Sequence, residues 1–455
     1  MSELTTYYFI GIGGIGMSAL AKMVLQKGHR VLGSDLSSTA TTRELQALGA
    51  TIYSSHEAYH IQPGMQVIYS SAITPKNPEW LKAQQLQLPL IHRSDFLDKL
   101  MEKSCPLLVT GAHGKTSTTA MLATLLQACG LDPSFSIGGY LQQQGLHALQ
   151  GSGQYFVAEA DESDGSFLKT KAYGAIVTNT DEEHLDYWKN KENLYKAYET
   201  FIRQVKNPHL LFLCGEDPFL ASLNVQANDY GFLPKASLRI LYMERYQALT
   251  EFSLSWKGGA PLVFRMPLAG RHQVLNATAA IGLTLQLGGA IDKMQEALLS
   301  YTGVKRRLEF LGEAKEVQVF DDYAHHPKEI EVTLQALRQM VGGKRIVTVF
   351  QPHRFSRFAY HIEAFAKSLQ LADLCIVTDI YSAREEPLPG IHAQNLLYYL
   401  PQARYLPKDS LMEQLVTYIA PGDVIVTFGA GDITYCGPLL LKYLRESSPH
   451  DSMVT

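Results

Sequence analysis

The segment Thr110–Thr116, with the sequence TGAHGKT, has the residue types and spacing of a loop that binds nucleotide phosphates. Gly114 allows close approach of the backbone, Lys115 supplies a cation to the β- and γ-phosphates, and the Thr116 hydroxyl can ligate Mg²⁺. Val109 stands where the usual pattern has its first glycine. The candidate nucleotide-binding residues here are Gly111, Ala112, His113, Gly114, Lys115, Thr116 and Ser117. The alternative is a helix N-terminus in which Gly-Lys-Thr occurs by chance.

A second glycine-rich segment, Gly11–Gly16, has the sequence GIGGIG and lies between an apolar run and an apolar-periodic stretch. Glycines between a strand and a helix let the backbone approach a pyrophosphate, which the N–H groups of the helix N-terminus stabilise. Asp35 lies roughly twenty residues on, where an acidic side chain can contact a ribose hydroxyl. The pattern predicts a dinucleotide or another pyrophosphate ligand; a tight turn without a ligand is the alternative. Its candidate contacts are Gly11, Gly13, Gly14, Gly16 and Asp35.

Acidic and histidine side chains follow two further apolar runs. Glu159 continues the run Phe156–Ala158 and opens the segment EADESD, while His184 follows the run Ala175–Thr178. A carboxylate at a strand end beside a phosphate loop is where a second Mg²⁺ ligand is expected. We therefore expect Glu159, rather than its acidic neighbours, to be buried and functional, and His184 to be able to approach a metal. A solvated acidic loop and an ordinary polar histidine are the alternatives.

Three later segments carry residues suited to a nucleotide and to a small zwitterion. His272 and Asn276 begin a predicted helix, where they can contact an adenine edge or simply cap the helix. Arg307 lies at a predicted junction, either as a hinge cation that reaches a γ-phosphate or as a solvated linker residue. Two strand-end loops suit a carboxylate-bearing zwitterion, with an ion-paired surface as the alternative. Their candidate residues are Tyr323, His325, Arg354 and Arg357.

Strand and helix patterns alternate along the chain and must position these segments. Short apolar runs such as Tyr7–Ile10, Leu107–Thr110 and Val317–Phe320 predict strands, and the stretches between such runs predict helices. The alternation predicts an α/β fold of three domains, each on a mainly parallel sheet. The expected domains are Rossmann-like, P-loop ATPase-like and Rossmann-like, at residues 1–104, 105–304 and 305–455.

Composition restricts the class of protein. The 455 residues carry 40 Lys and Arg against 44 Asp and Glu, a formal net charge of −4, which argues against a nucleic-acid surface. Hydrophobic residues make up 46%, which excludes disordered and fibrous classes. No apolar run reaches the roughly 18 residues of a membrane span. Five scattered cysteines without C-x-x-C spacing predict reduced thiols in the cytoplasm.

Taken in order, the motifs resemble those of the Mur ligase family, the ATP-dependent amide-forming enzymes of bacterial peptidoglycan synthesis. The resemblance covers nearly the whole chain and is carried by GIGGIGM at 11–17, GAHGKT at 111–116, DYAHHP at 322–327 and FQPHR at 350–354. It implies a UDP-sugar domain, a central ATPase domain and a C-terminal amino-acid domain. The Gly11–Gly16 loop would then hold UDP rather than a nicotinamide dinucleotide.

The resemblance also implies residue roles. Lys115 and Thr116 would bind phosphates and Mg²⁺ (or Mn²⁺), Glu159 would be a metal ligand, and His184 would hold a second metal. Further implied contacts are His272 and Asn276 with adenine, Arg307 with the γ-phosphate, Ser70, Ser71 and Arg93 with the UDP-sugar, and Tyr323, His325, Arg354 and Arg357 with the amino acid. Glu199 stands where many relatives carry a carbamylated lysine. The alanine-adding branch generally lacks that lysine, so this departure favours that branch.

Similarity to the alanine-adding branch implies ATP-dependent ligation of L-alanine to the lactyl carboxylate of UDP-N-acetylmuramate. The carboxylate would attack the γ-phosphorus to give an acyl phosphate, which the amine then displaces. The candidate catalytic residues are Lys115, Arg307 and His325, the last as the base that accepts the amine proton. We expect a cytoplasmic monomer or weak homodimer that acts on small molecules, without nucleic-acid or membrane partners.

Four other functions are open to the sequence. The nearest is a recycling ligase that attaches a peptide to UDP-N-acetylmuramate, and a folate polyglutamylating relative should lack the Gly11–Gly16 loop. An NAD(P)-dependent oxidoreductase would use Gly11–Gly16 and Asp35 but would give the loop Gly111–Thr116 no function. A nucleotide sensor would bind ATP without turnover.

Overall fold

A computed structural model describes residues 4–446, except for the side chain of Asp186, and contains three β-sheets flanked by helices. These residues form two compact units, the first built on the first two sheets and the second on the third sheet. No helix in the described range combines the length and apolar character needed to cross a membrane. Short 3₁₀ turns lie at Ala58–His60, Ser166–Leu168, Pro208–Leu210, Ala393–Asn395, Lys408–Ser410, Val416–Tyr418 and Asp432–Tyr435.

The first sheet has five parallel strands. Strands β1–β5 are Thr6–Ile10, Arg30–Ser34, Thr51–Tyr53, Met65–Tyr69 and Leu90–His92, and helices α1–α4 are Ile15–Gln26, Ala40–Ala47, Pro78–Gln85 and Arg93–Met101. Their order is β3-β2-β1-β4-β5, and every neighbouring pair is parallel. The connections from β1 and β4 therefore diverge, which opens a crevice at the carboxyl ends of these two strands.

The second sheet has ten strands. Strands β6–β15 are Cys105–Thr110, Ser134–Ser136, Ala148–Leu149, Tyr155–Glu159, Gly174–Val177, Leu211–Cys214, Asn228–Gly231, Leu238–Tyr246, Leu249–Trp256 and Leu262–Met266. Helices α5–α10 are Lys115–Ala128, Leu185–Trp188, Lys191–Arg203, Pro218–Ser222, Arg271–Gln286 and Ile291–Ser300. The order is β15-β14-β13-β12-β11-β10-β6-β9-β7-β8, so β6 lies between β10 and β9. The loops after these three parallel strands meet at one edge of the sheet.

The third sheet has six strands. Strands β16–β21 are Glu309–Ala314, Val317–Asp322, Ile346–Phe350, Leu374–Val377, Arg404–Tyr405 and Val424–Phe428. Helices α11–α15 are Pro327–Val341, Phe355–Leu369, Leu396–Tyr399, Leu411–Leu415 and Cys436–Glu446. The order is β16-β17-β21-β18-β19-β20, with only β16 antiparallel to its neighbour among the pairs of this sheet. The loops after β17 and β18 flank β21 at the carboxyl edge.

Both faces of the central strands are buried, which explains why they appear as continuous apolar runs in the sequence. In the third sheet, Phe320 and Phe350 pack into the core on one face. Val319 and Val349, one residue earlier, pack into the core on the other face, as the alternation of side chains along a strand requires. The same alternation divides β1 between two cores in the first sheet.

The predicted α/β class with three mainly parallel sheets is confirmed. The elements read from apolar runs lie within a few residues of their predicted positions. The elements not identified are β7, β8, β11–β16, β20, α3, α6–α8 and α13. Polar and charged residues interrupt the apolar pattern of β13–β15 and α7, whereas β11 is a continuous apolar run that was not selected. The roles and boundaries of the three predicted domains remain predictions.

A buried carboxylate organises the first sheet below its glycine-rich loop. The Glu79 side chain is fully buried, and two hydroxyl groups and two imidazoles face it. These groups are Tyr8 Oη at 2.5 Å, Ser34 Oγ at 2.6 Å, His56 Nδ1 at 2.9 Å and His60 Nδ1 at 3.0 Å. The carbonyl of Ser34 accepts hydrogen bonds from the amides of Gly11 and Ile12. Glu79 therefore holds the strand end that carries the Gly11–Gly16 loop.

We predict that Glu79→Ala lowers the free energy of unfolding by about 3 kcal/mol, because it leaves several buried polar groups without their acceptor. Chemical denaturation followed by circular dichroism measures this change. The matched control is Glu57→Ala, which removes an exposed carboxylate nearby and should change the stability by less than about 0.5 kcal/mol. Equal effects of the two substitutions would contradict the role assigned to Glu79.

Candidate functional site

The predicted phosphate loop follows β6 and leads directly into α5. Gly114 precedes the helix with φ +83°, a left-handed conformation that favours glycine. A Cβ at this position would lie only 2.9 Å from Oδ1 of Asn276, so Gly114 and the predicted adenine contact Asn276 are in close contact. The first amides of α5 then face the space beside the loop, as an anion site at a helix N-terminus requires.

Two side chains that the sequence analysis missed hold this loop in shape. The Asn179 side chain accepts a hydrogen bond from the His113 amide at 3.0 Å and donates one to the His113 carbonyl at 2.9 Å. The Thr178 hydroxyl donates to the same carbonyl at 2.6 Å. Both residues follow β10, the strand beside β6. Polar residues at the end of a buried neighbouring strand were the signal that could have identified them.

Lys115 forms an ion pair with a buried carboxylate. Its Nζ lies 2.9 Å from each carboxylate oxygen of Glu162 and donates to the Gly111 carbonyl at 2.6 Å. Burial lowers the pKa of Lys115, but the facing carboxylates of Glu162 and Asp161 raise it more, so the net pKa lies above its ordinary value. The lysine is therefore charged. The side chain of Glu162 is 1% exposed.

The burial expected for Glu159 was wrong in detail, since Glu162, three residues later, is the more buried carboxylate. Glu159 nevertheless lies where the metal hypothesis needs it. Its Oε2 accepts a hydrogen bond from the Thr116 hydroxyl at 3.1 Å, and its Oε1 accepts one from the Gly138 amide at 2.6 Å. A hydroxyl and a carboxylate are hard oxygen donors, so this pair fits Mg²⁺ or Mn²⁺.

His184 lies beside the carboxylates of Glu162 and Glu183 rather than beside Thr116. Its Nε2 is 3.7 Å from Glu162 Oε1 and 3.5 Å from Glu183 Oε2. Ligand atoms of Asp161, Glu162 and His184 lie within 4.8 Å of one another, which is close enough to surround one cation. Burial acts to raise the pKa of Asp161, but the Lys115 ammonium and the Ser163 amide lower it overall.

The residues predicted around the UDP-sugar come together at the crevice of the first sheet. Asp35 Oδ2 accepts a hydrogen bond from the Gly13 amide at 2.8 Å, so this carboxylate holds the glycine-rich loop. A Cβ at Gly16 would lie 3.1 Å from Nη1 of Arg93, which places that guanidinium beside the loop. Ser70 and Ser71 follow β4, the neighbour of β1, and the Ser71 hydroxyl lies 3.0 Å from His92 Nε2.

The predicted amino-acid contacts cluster at the carboxyl edge of the third sheet. The rings of Tyr323 and His325 lie 5.4 Å apart, and those of His325 and His353 lie 5.8 Å apart. Nη1 of Arg357 lies 3.2 Å from Nδ1 of His353. Burial, followed by the nearby His325, Arg357 and Arg354, lowers the pKa of His353 to about 3. His353 is therefore neutral and can accept a hydrogen bond from Arg357.

Arg354 has an unusual backbone conformation, with φ +70° and ψ 136° immediately before α12. Its amide donates to the Tyr381 carbonyl at 2.8 Å, which fixes this conformation. Its side chain is exposed at the strand-end edge. Strain of this kind in a residue other than glycine is frequent at ligand sites.

Two carboxylates that the sequence analysis did not select shape the loop after β17. Asp322 accepts hydrogen bonds from the amides of Leu308 at 2.6 Å and Ala324 at 2.7 Å, and burial raises its pKa to about 7. Glu329 accepts from the His325 amide at 3.0 Å and lies 3.6 Å from Nη1 of Arg307. Arg307 thus lies against Glu329 in the second unit.

His272 and Asn276 lie four residues apart at the start of α9. Burial lowers the pKa of His272 to about 4, so its imidazole is neutral at physiological pH. Glu199, at the spacing of the carbamylated lysine, instead forms an ion pair with Arg203 on the partly exposed face of α7, with 2.6 Å between Oε1 and Nη2.

Models of one protein family match three consecutive segments of the chain. The match to the Mur ligase family catalytic domain covers residues 6–104, and the match to the Mur ligase middle domain covers residues 109–284. The Mur ligase glutamate ligase domain matches residues 306–431. The segments correspond to the three sheets in chain order.

Individual relatives match over nearly the full length. The UDP-N-acetylmuramate–L-alanine ligase of Protochlamydia amoebophila is 42% identical over 445 residues, covering 96% of this chain and 98% of the relative. A crystal structure of UDP-N-acetylmuramate–alanine ligase from Thermotoga maritima has a TM-score of 0.85 at 29% identity, with 97% of this chain and 100% of that chain covered. A murein peptide ligase from Psychrobacter arcticus shares the fold, with a TM-score of 0.74 at 24% identity and 98% and 99% coverage. Because the family models and these relatives together span all three sheets, the chain belongs to the Mur ligase family.

Proposed function

We propose that the chain is an ATP-dependent amide-forming ligase that joins L-alanine to the lactyl carboxylate of UDP-N-acetylmuramate. The reaction releases ADP and phosphate and belongs to the synthesis of bacterial peptidoglycan precursors. The observation that carries the proposal is the loop Gly111–Thr116, which brings a charged lysine and a helix N-terminus beside the Thr116–Glu159 pair. The 42% identity to a relative named for this reaction supports the choice of substrates.

In this proposal ATP binds at the start of α5. Lys115 binds the β- and γ-phosphates, and the amides of Gly114–Ser117 bind phosphate oxygens beside Gly111, Ala112 and His113 of the same loop. His272 and Asn276 contact the adenine. Thr116 and Glu159 would hold one Mg²⁺ or Mn²⁺ and His184 would hold a second, and these ions when bound would neutralise phosphate charge. Arg307 supplies a further cation to the γ-phosphate. A carboxylate and a triphosphate repel one another, so these positive charges are required before the two can react.

The UDP-sugar binds at the crevice of the first sheet. The amides of the Gly11–Gly16 loop, at the N-terminus of α1, face the pyrophosphate, and Arg93 adds a positive charge beside them. Ser70 and Ser71 supply hydroxyl groups from the neighbouring strand end. Asp35 acts by holding Gly13 in place and is positioned for the ribose.

Alanine binds in the cluster of the third sheet, with Arg354 and Arg357 toward its carboxylate and Tyr323 beside it. The amine must lose a proton before it can attack. Nδ1 of His325 lies 3.1 Å from the Tyr323 carbonyl, which can only accept, so Nδ1 carries the hydrogen. Nε2 of a neutral His325 is then the unprotonated ring nitrogen and is suited to accept the amine proton.

The chemistry proceeds in two steps. The lactyl carboxylate oxygen attacks the γ-phosphorus, the bond to the β-phosphate oxygen breaks, and ADP leaves. The alanine nitrogen then attacks the acyl carbon, and phosphate leaves from the tetrahedral intermediate. The intermediate acyl phosphate hydrolyses readily, so water must be excluded while it exists. We also propose that the enzyme acts in the cytoplasm, where ATP and UDP-linked sugars occur, as a monomer or weak homodimer.

We predict that the enzyme releases phosphate from ATP when UDP-N-acetylmuramate and L-alanine are both present. A coupled phosphate assay with mass spectrometry of the product tests this. The control replaces L-alanine with L-alanyl-γ-D-glutamyl-diaminopimelate, which should give a rate at least about tenfold lower. A faster reaction with the peptide would make the chain a recycling ligase, and oxidation of NAD(P)H on addition of substrate would make it an oxidoreductase.

We predict that Lys115→Ala reduces ADP release at least about a hundredfold while UDP-N-acetylmuramate binding, measured by calorimetry, changes less than about threefold. The substitution also leaves Glu162 buried without its cation. The double variant Lys115→Ala/Glu162→Gln has no uncompensated buried charge and is therefore the matched control. It should show the same reduction of ADP release. Loss of UDP-sugar binding in both variants would contradict separate sites for the two nucleotides.

We predict that Arg354→Ala raises the KM for alanine about tenfold or more, because it removes a charge-assisted hydrogen bond to the carboxylate, and raises the KM for ATP less than about twofold. Steady-state kinetics with each substrate varied in turn measures both values. Arg203→Ala, which removes an exposed guanidinium in the other unit, is the control and should change neither. An equal rise in both KM values would rule out this assignment.

A further inference from the structure

A segment between β7 and β8, residues Gly138–His147, lies between the two predicted nucleotide sites of the first unit; we refer to it as the connector. Its backbone closes on itself, since the Leu141 carbonyl accepts from the Gly145 amide and the Leu146 carbonyl accepts from the Leu141 amide, both at 2.8 Å. Backbone hydrogen bonds of this kind reduce the conformational freedom of a loop, so a displacement of one end of the connector also displaces the other end.

One end of the connector is bonded to the predicted metal ligand. The Gly138 amide donates to Glu159 Oε1 at 2.6 Å, and the other oxygen of this carboxylate accepts from the Thr116 hydroxyl at 3.1 Å. A Cβ at Gly138 would lie 2.8 Å from Glu159 Oε1, so the contact is tight. A cation that used Thr116 and Glu159 as ligands would draw on the same oxygens. Metal–nucleotide binding therefore changes the bonds that hold Gly138.

The connector is bonded to the first sheet through Tyr140. The hydroxyl groups of Tyr140 and Thr41 lie 2.7 Å apart. Thr41 is in the first turn of α2, and the methyl group of its neighbour Thr42 would be 3.0 Å from a Cβ at Gly13. The Tyr140 hydroxyl is thus separated from the glycine-rich loop by a single turn of helix.

A second hydrogen bond joins the connector to the helices of the first sheet. His147, at the other end of the connector, is 1% exposed, and its Nε2 lies 3.0 Å from the hydroxyl of Ser18 on α1. The rings of Tyr140 and His147 are 4.5 Å apart. The connector therefore contacts both helices that flank the glycine-rich loop, α1 and α2.

We propose that Tyr140 is a positioning residue whose hydrogen bond to Thr41 couples occupancy of the ATP site to the affinity of the Gly11–Gly16 loop for the UDP-sugar. This inference rests on the proposed function, because it takes the two ligands from it. Coupling between two sites is reciprocal, so each ligand changes the affinity for the other by the same factor.

Tyr140→Phe removes one hydroxyl and keeps the ring that packs against His147. The experiment measures the dissociation constant of UDP-N-acetylmuramate by calorimetry, with and without saturating magnesium and a non-hydrolysable ATP analogue. For the unaltered enzyme we expect the dissociation constants measured with and without the ATP analogue to differ by a factor of about five or more, and we call this factor the ratio. In Tyr140→Phe this ratio should fall toward one by about twofold or more, because one hydrogen bond is lost. The affinity for each ligand alone should change less than about twofold.

The partner side of the bond supplies the matched controls. Thr41→Val should reduce the ratio as Tyr140→Phe does, whereas Thr41→Ser keeps a hydroxyl and should preserve it. The double variant Tyr140→Phe/Thr41→Val should show no further loss, because both substitutions remove the same bond. Tyr398→Phe, which removes a hydroxyl from a side chain that is 82% exposed, should leave the ratio unchanged.

Three outcomes would overturn the inference. The first is a ratio of one for the unaltered enzyme, and the second is a ratio in Tyr140→Phe that equals the unaltered value. The third is additive losses in the double variant. If both ligands bind but independently, the coupling fails while the proposed function stands. If UDP-N-acetylmuramate does not bind at all, the proposed function fails and the coupling fails with it.

Discussion

The ligands proposed for this protein all carry negative charge. Burial of that charge without positive groups or hydrogen-bond donors beside it would cost more free energy than packing contacts provide. The chain meets this constraint at the carboxyl ends of parallel strands, where a loop leads into a helix whose first amides have no partner within the helix. The loops after β1 and β6 both take this form, and the cluster of the third sheet lies at the N-terminus of α12. In the proposed function, a protein with a net charge of −4 can bind two nucleotides because Arg93 and Lys115 lie at the two proposed nucleotide sites.

The protein's own carboxylates hold these anion sites in shape. Asp35 is bonded to the Gly13 amide, Glu159 to the Gly138 amide, and Glu329 to the His325 amide, at 2.8, 2.6 and 3.0 Å. In each case a partly buried acid fixes a backbone segment at or beside a proposed ligand site. A loop fixed in this way loses less conformational freedom when the ligand binds, which increases affinity without a new contact.

Local patterns in the sequence predicted the fold class and the position of the main loops, because strand runs, glycines and a Gly-Lys-Thr segment carry their information within a few residues. Contacts between distant residues could not be predicted in the same way. Asn179 shapes the phosphate loop from 66 positions away, and Glu162 reaches Lys115 from 47 positions away. The sequence favoured Glu159 as the buried carboxylate because it continues an apolar run. The structure buries Glu162 instead, because the chain turns back toward Lys115 after β9.

The ion pair between Lys115 and Glu162 sets a condition on nucleotide binding. The ammonium is already bonded to both carboxylate oxygens and to the Gly111 carbonyl, so an incoming phosphate must compete with these acceptors. When the lysine turns toward phosphate, Glu162 loses part of its compensation while it remains buried, and removal of one partner from a buried pair costs about 3–5 kcal/mol. Nε2 of His184, 3.7 Å from Glu162 Oε1, faces the same carboxylate. In the proposed function, a triphosphate with its metal brings more charge to this exchange than a smaller anion does. We therefore expect the ion pair to favour the fully charged nucleotide over smaller anions.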